Sequence, residues 1–386
     1  MSLAYALDQI MQRGWEPIEL PEPVAIDALP TPALVLNEAA FARNLLRMQS
    51  FQDAHALGIR PHAKTHKCPI VAKRQLDNGA VGVCAAKLSE AAVLVAAGVD
   101  DVLVTSPIVS PGKLRVLAEL AERAAGLKIV VDGELGMQRL LESGARVGVL
   151  VDIDVAMGRT GTRDPESAVR LAETAAQCDE LEFLGVQHYA GQVMHVDGFE
   201  ARKAASLELW PAVEAVLEEL TKHGLEASIV TGGGTGTYNI DCDVPFVTDL
   251  QVGSYVFMDH EYRLIGGATS ELFDDFEVSL SVVTTAISEP VPGRAVTVDG
   301  GFKVFASDTV EPLPMDLAGA KFRFGGDEHG ILILDKGVQQ PLLGEVQRFV
   351  TPHCDPTVNL HDHYWVEDED GMVRSIWPVT ARGCSW

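Results

Sequence analysis

The sequence predicts an α/β protein built as a parallel (β/α)8 TIM barrel followed by an antiparallel β domain. Three observations carry this. Eight short, apolar, β-rich runs alternate with amphipathic helical stretches. That rhythm stops near residue 268, and long alternating runs without helical periodicity take over. A glycine-rich loop follows the seventh run, where barrels commonly seat a phosphate.

Residues 1–27 are mixed and proline-punctuated, and are expected to pack on the β domain. Residues 31–36 read as a lead-in strand, with Asn37 capping a helix that carries Leu45, Leu46 and Met48. The barrel strands are expected at 58–63, 81–86, 101–106, 128–133, 146–155, 181–189, 227–232 and 250–256. Helices are expected at 88–97, 111–124, 165–176 and 203–223. The barrel unit, with its lead-in strand and helix, then spans 28–268. The count of eight is complete without the lead-in strand, so that strand is free to join the second unit. The β domain, 269–386, shows strand runs at 276–287, 294–305, 321–324, 330–335, 344–351 and 372–378. A doubly wound open sheet is the competing architecture, and eight strands favour the barrel.

Of the 386 residues 47% are hydrophobic, which excludes a disordered chain. Asp and Glu number 55 against 30 Lys and Arg, a net charge of -25, so neither nucleic acid nor an anionic membrane is an expected partner. The six cysteines are scattered without a C-x-x-C pair, which excludes a disulfide framework or zinc finger. Residues 1–15 lack a signal-peptide pattern and no apolar run reaches the length of a membrane span, so the cytoplasm is the expected compartment.

Barrel enzymes place their chemistry after the carboxyl ends of the strands. After the first strand comes Arg60-Pro61-His62-Ala63-Lys64-Thr65-His66-Lys67. Burial and neighbouring positive charge favour a neutral Lys64 amine, fit for Schiff-base chemistry. A basic loop gripping phosphate or facing water is the other reading. After the fifth strand, Arg159 sits in a glycine-flanked turn, free to pair with Asp152 or Asp154 or to donate to an anionic ligand. After the sixth come His188, Tyr189 and His195, of which His188 and Tyr189 also suit core packing. Thr231, Gly233, Gly234 and Thr235 open the loop after the seventh, where bare backbone N–H groups and hydroxyls suit an anion. Gly253, Ser254 and Tyr255 follow the eighth. A lysine, a phosphate loop and an aromatic wall at one barrel mouth together fit pyridoxal 5'-phosphate. In the β domain, His353 and Asp355 lie two apart on an expected extended segment and share a side. They suit a divalent cation or a plain His–Asp hydrogen bond; Cys354 then faces away.

The stretches RPH-x-K-T-H-K, D-x-x-M-G-R-T-G, TGGGTGT, GSYVFMD and HCDPTVN occur in this order. Together they resemble the D-threonine aldolase and D-serine dehydratase family, pyridoxal-phosphate enzymes with the alanine racemase fold. The resemblance runs from about residue 31 to the C-terminus. It implies a homodimer with sites near the subunit interface, and Lys64 as the Schiff-base lysine. It implies Arg159 near the cofactor's 3-hydroxyl, Tyr189 at its ring, and 233–235 with 253–255 at its phosphate. His353 and Asp355 match the metal pair, for which manganese, magnesium or cobalt is expected. In this family dehydratases present His-x-Cys and aldolases His-x-Asp, so the reaction implied is cleavage of a D-3-hydroxy amino acid to glycine and an aldehyde. His195 is then the expected base for the β-hydroxyl, with metal-bound water as the alternative. A dehydratase is the rival reading, followed by a racemase, a non-catalytic carrier of the cofactor, and a sugar-phosphate barrel enzyme.

Overall fold

The computed structural model describes residues 3–386. Two strands precede the barrel, β1 (Ile18–Ala25) and β2 (Ala33–Asn37). The barrel strands are β3 (Gly58–Ile59), β4 (Val83–Ala85), β5 (Val102–Val104), β6 (Lys128–Val131), β7 (Val147–Ile153), β8 (Leu181–His188), β9 (Ile229–Gly232) and β10 (Asp249–Leu250). All pair in parallel, in the order β3-β10-β9-β8-β7-β6-β5-β4. A parallel bridge between His62 and Cys84 closes the ring, with Ala63 N donating to Cys84 O and Cys84 N to Pro61 O, each at 2.8 Å. Strands β4, β5, β6 and β7 are buried along their whole length, as expected of strands covered on both faces.

Several expected elements are observed shortened or divided: the strands expected at 58–63 and 294–305 cover only Gly58–Ile59 and Ala295–Val298. Of the segment 1–27, expected on the β domain, the helix Leu3–Met11 packs instead on the barrel helices Leu88–Ala96 and Pro111–Ala121. Asn37 caps the helix Glu38–His55 by accepting from Ala40 N at 2.9 Å, and the helix Pro165–Ala176 is observed with the expected bounds. The expected helix 203–223 is two helices, Phe199–Leu207 and Trp210–Lys222, because Pro211 lacks the N–H that would continue the first and opens the second. The expected strand 250–256 ends at Leu250, and Ser254–Val256 is a 3-10 turn that points its backbone at the barrel mouth.

The second sheet contains β11 (Leu280–Val291), β12 (Ala295–Val298), β13 (Leu313–Pro314), β14 (Ala320–Phe324), β15 (Gly330–Leu334), β16 (Val346–Val350), β17 (His363–Glu367) and β18 (Met372–Pro378). Its order is β1-β18-β17-β2-β11-β12-β15-β14, with β16 joining β11 and β13. The sheet is antiparallel except where β17 runs parallel to β2. The lead-in strand β2 therefore lies inside this sheet, between β17 and β11, and not in the barrel unit that a boundary at residue 28 gives it. β1 escapes sequence detection because Pro21 and Pro23 interrupt its pattern. An edge position tolerates those missing donors. No helix among the described residues is long and apolar enough to cross a membrane.

Candidate active site

A cavity at the carboxyl end of the barrel is lined by His62, Lys64, Thr65, Tyr189, His195 and Gln251. Gly234, Thr235, Gly253, Ser254, Tyr262, His353 and Asp355 complete its wall. Residues from the loops after β3, β8, β9 and β10 thus meet a short segment of the β domain. Lys64 stands at its centre. Its Nζ lies 3.3 Å from Asp355 Oδ2 and 5.8 Å from the centre of the Tyr189 ring. Arg159 covers the same ring at 5.1 Å.

The expected neutral Lys64 is overturned in this state. The Asp355 carboxylate raises the lysine's pKa, outweighing burial. The neighbours in sequence do not oppose it. Burial pulls His66 down to about 3 and His62 well below the ordinary imidazole range, so both rings are neutral. Arg60 points the other way, to the foot of the barrel, where it pairs with Asp101 and Asp249. Burial alone would raise Asp355, but the Lys64 ammonium and His353 hold it down at about 2.

The segment bearing His353 and Asp355 is not extended. His353 has strand-like torsions and caps a short helix, Cys354–Val358. Both side chains still line the cavity, His353 from the extended residue before the helix and Asp355 from its first turn. Cys354 faces the core, fully buried, with its thiol 3.5 Å from Met258 O. His353 Nδ1 bonds Asp308 Oδ2 at 2.8 Å, which leaves Nε2 as the ring's available donor atom. Asp355 Oδ1 is buried without a hydrogen-bond partner. A lone imidazole nitrogen and an unpartnered carboxylate oxygen fit a divalent cation of intermediate hardness. Among the described residues no third His, Cys, Asp or Glu completes a ligand set, so solvent or substrate would supply the rest.

The remaining donors fit a phosphate. The N–H groups of Gly253 and Tyr255 converge on Thr235 Oγ1, each at 3.2 Å, forming a nest that selects one oxygen. Thr65 Oγ1, on the cavity wall, is buried and unpartnered. A Cβ at Gly253 would come within 2.6 Å of that hydroxyl, and one at Gly234 within 2.8 Å of Met194 Sδ, so a side chain at either position would displace a neighbour at the cavity wall. Three expected contacts fall elsewhere. Thr231 donates to Asp249 at 2.6 Å inside the barrel. Gly233, at φ +63, serves the turn and backs onto Asp241. The Tyr255 hydroxyl accepts from Gln75 at 3.3 Å in the core, so this residue offers the loop its backbone alone.

Arg159 pairs with neither aspartate. Asp152 accepts from Thr160 (2.7 Å) and Gln187 (2.9 Å), and Asp154 accepts from Gly158 N (2.9 Å) and Arg163 (3.2 Å). His188 is core, edge-on to Trp210 at 3.9 Å. His195 is neutral, drawn down to about 4 by burial, with His353 and Lys64 adding to it. Its ring lies 4.6 Å from that of Tyr262. Glu261, unmarked in the sequence, sets a buried, unpartnered Oε2 between His195 Nε2 (3.8 Å) and His353 Nδ1 (3.9 Å). Tyr262, Gln251 and Asp308 were likewise silent; no spacing rule links them to the cavity.

Known proteins resemble this chain along most of its length. Residues 36–261 match the family described as alanine racemase, N-terminal domain, and residues 279–367 that described as "Putative serine dehydratase domain". The chain is 39% identical to a D-threonine aldolase of an Arthrobacter species, over 92% of this chain and 93% of that one. It is 32% identical to a D-threo-3-hydroxyaspartate dehydratase of a Delftia species, over 72% of this chain and 73% of that one. The crystal structure of D-threonine aldolase from Filomicrobium marinum superposes with a TM-score of 0.90 at 38% identity, covering 96% of this chain and all of that one. The chain belongs to the D-threonine aldolase and D-serine dehydratase family, with the alanine racemase fold.

Proposed function

We propose that this lyase cleaves D-3-hydroxy amino acids reversibly, D-threonine giving glycine and acetaldehyde, with pyridoxal 5'-phosphate and a divalent metal. One observation carries the choice of reaction: Asp355, and not Cys354, shares the cavity with His353. An oxygen donor there favours holding and deprotonating a hydroxyl over a thiolate-rich site. The similarity to D-threonine aldolases supports the same choice.

When bound, the cofactor supplies an electron sink for negative charge at the substrate's Cα. Lys64 is the amine that would anchor it. Arg159 and Tyr189 would wall its ring, and Thr235 with the 253–255 backbone would hold its phosphate. Thr231, Gly233 and the Tyr255 side chain support that loop from behind. His353 and Asp355 would hold manganese, magnesium or cobalt, whose charge lowers the pKa of a hydroxyl beside it. The neutral His195 ring accepts the β-hydroxyl proton, and loss of that proton drives the Cα–Cβ bond to break as the aldehyde forms. Tyr262 packs against one side of the ring and orients it. The same reading makes the protein a cytoplasmic homodimer acting on a small molecule.

The test is product analysis with D-threonine, with and without EDTA. Glycine and acetaldehyde, lost on chelation, are expected. Ammonia and 2-oxobutanoate would overturn the aldolase reading and favour the dehydratase, the activity named for the Delftia relative.

A further inference from the structure

Arg202 is among the largest side chains that are fully buried, at 0% exposure. It lies on the helix Phe199–Leu207, and no carboxylate pairs with it among the described residues. Four backbone carbonyls take its N–H groups instead. Nε donates to Gly236 O at 2.7 Å, Nη1 to Val196 O at 2.9 Å and Ile265 O at 2.8 Å, and Nη2 to Gly266 O at 2.8 Å. The rings of Phe199 and Phe273 lie 5.9 and 5.8 Å from the guanidinium carbon.

The acceptors belong to loops that follow three consecutive barrel strands. Val196 adjoins His195 after β8. Gly236 adjoins Thr235 after β9. Ile265 and Gly266 end the short helix His260–Leu264, which carries Glu261 and Tyr262 after β10. Burying a guanidinium costs several kcal/mol unless its donors are met, and an apolar side chain of equal size would pack without that cost. Such a side chain would leave three carbonyls unpaired, however, since only Ile265 O has another donor, Gly198 N at 2.9 Å. The planar fork fixes its donors at set angles, so it fixes the carbonyls relative to one another. A lysine ammonium, a single point with three donors, cannot span three loops.

We propose that Arg202 is a positioning residue that locks the loops bearing His195, Thr235 and Tyr262 in register across the barrel mouth. It touches none of the cavity itself and acts through those loops. The kinetic part of the test rests on the proposed function; the exchange part does not.

The experiment compares full-length wild type, R202K and R202M, each loaded with cofactor and metal, by hydrogen–deuterium exchange and by kinetics. Exchange is expected to quicken by about tenfold or more in peptides spanning 190–198, 232–238 and 260–267 together, with β5, β6 and β7 unchanged. With D-threonine, kcat is expected to fall about tenfold or more while KM stays within about threefold, because misplacement harms the reacting geometry more than binding. Faster exchange in one loop alone, or across the whole barrel, would overturn the proposal. So would unchanged loops, or failure of both variants to fold, which would make Arg202 a determinant of the fold at large. A wild type inactive on every D-3-hydroxy amino acid sinks the proposed function, and the exchange pattern still decides the role of Arg202.

Discussion

At the foot of the barrel Arg60 meets Asp101 and Asp249, and Lys128 bonds Asp101 at 2.7 Å and the carbonyl of Gly126 at 2.9 Å. Thr231 and Thr248 complete Asp249, at 2.6 and 3.0 Å. At the mouth the same residue types leave groups unmet. Thr65 Oγ1, Glu261 Oε2 and Asp355 Oδ1 are buried without partners, and Arg159 faces a ring and no carboxylate. The strands β3, β9 and β10 serve both ends. At the foot only Arg60 Nε goes without a hydrogen bond, and it stays 3.5 Å from the Asp249 carboxylate, so that charge-paired network stabilises the closed barrel. The unmet groups at the mouth store binding capacity for a ligand. Polarity alone therefore does not mark the site; unmet groups gathered around one cavity do.

Four substitutions probe this contrast. Lys64→Ala at the mouth should lower cleavage of D-threonine by roughly a thousandfold or more and cost less in urea unfolding than loss of the cation at the foot, because Asp355 keeps His353 beside it. Trapping with borohydride should label a peptide containing Lys64 in the wild type alone. At the foot, Arg60→Met should do the reverse. It leaves the buried Asp249 without its cation, costing about 3–5 kcal/mol in urea unfolding, with kcat nearly unchanged at temperatures where the variant is folded. An equal loss of kcat would erase the distinction between the two ends.

Asp308→Asn tests whether an outer partner matters at the mouth. Loss of the carboxylate behind His353 should weaken metal affinity roughly 10- to 100-fold by titration, with the fold intact. The smallest effect is expected at Asp152, which ties Thr160, beside Arg159, to Gln187 and so to Gln251 on the cavity wall. Burial raises its carboxyl from 3.8 to about 6, against the opposing bonds from Gln187 and Thr160. The folded state thus holds this proton more tightly than the unfolded chain. The resulting stabilisation is complete below about pH 4 and is lost as pH rises through about 6. Between those values wild type should lose on the order of 1–2 kcal/mol relative to Asp152→Asn, followed by urea titration at each pH. A flat difference would mean that Asp152 is ionised without penalty.

Much of the mouth was legible because strand ends announce it. The β-rich run before Lys64 and the glycines after β9 place those residues on one rim by topology alone. The Lys64–Asp355 ion pair was not legible, because it joins opposite ends of the chain and reverses the proton affinity that local neighbours suggest. The helix at Cys354–Val358 was missed because a cap residue looks like strand. Thr231 was misplaced because alternation along β9 turns it inward, to Asp249. Arg202, Glu261 and Asp308 carry no local pattern at all; their partners are chosen by folding.

The placement of β1 and β2 sets a timetable. During synthesis these strands emerge before the barrel, yet β1 pairs with β18, and β2 lies between β11 and β17. Their neighbours leave the ribosome only after the barrel. β1 and β2 must therefore wait, exposed, until β11, β17 and β18 arrive, and the His353–Asp355 segment reaches the barrel mouth as that sheet closes. Chaperone demand during translation should thus fall on residues 18–37, and the active site is completed only after the barrel.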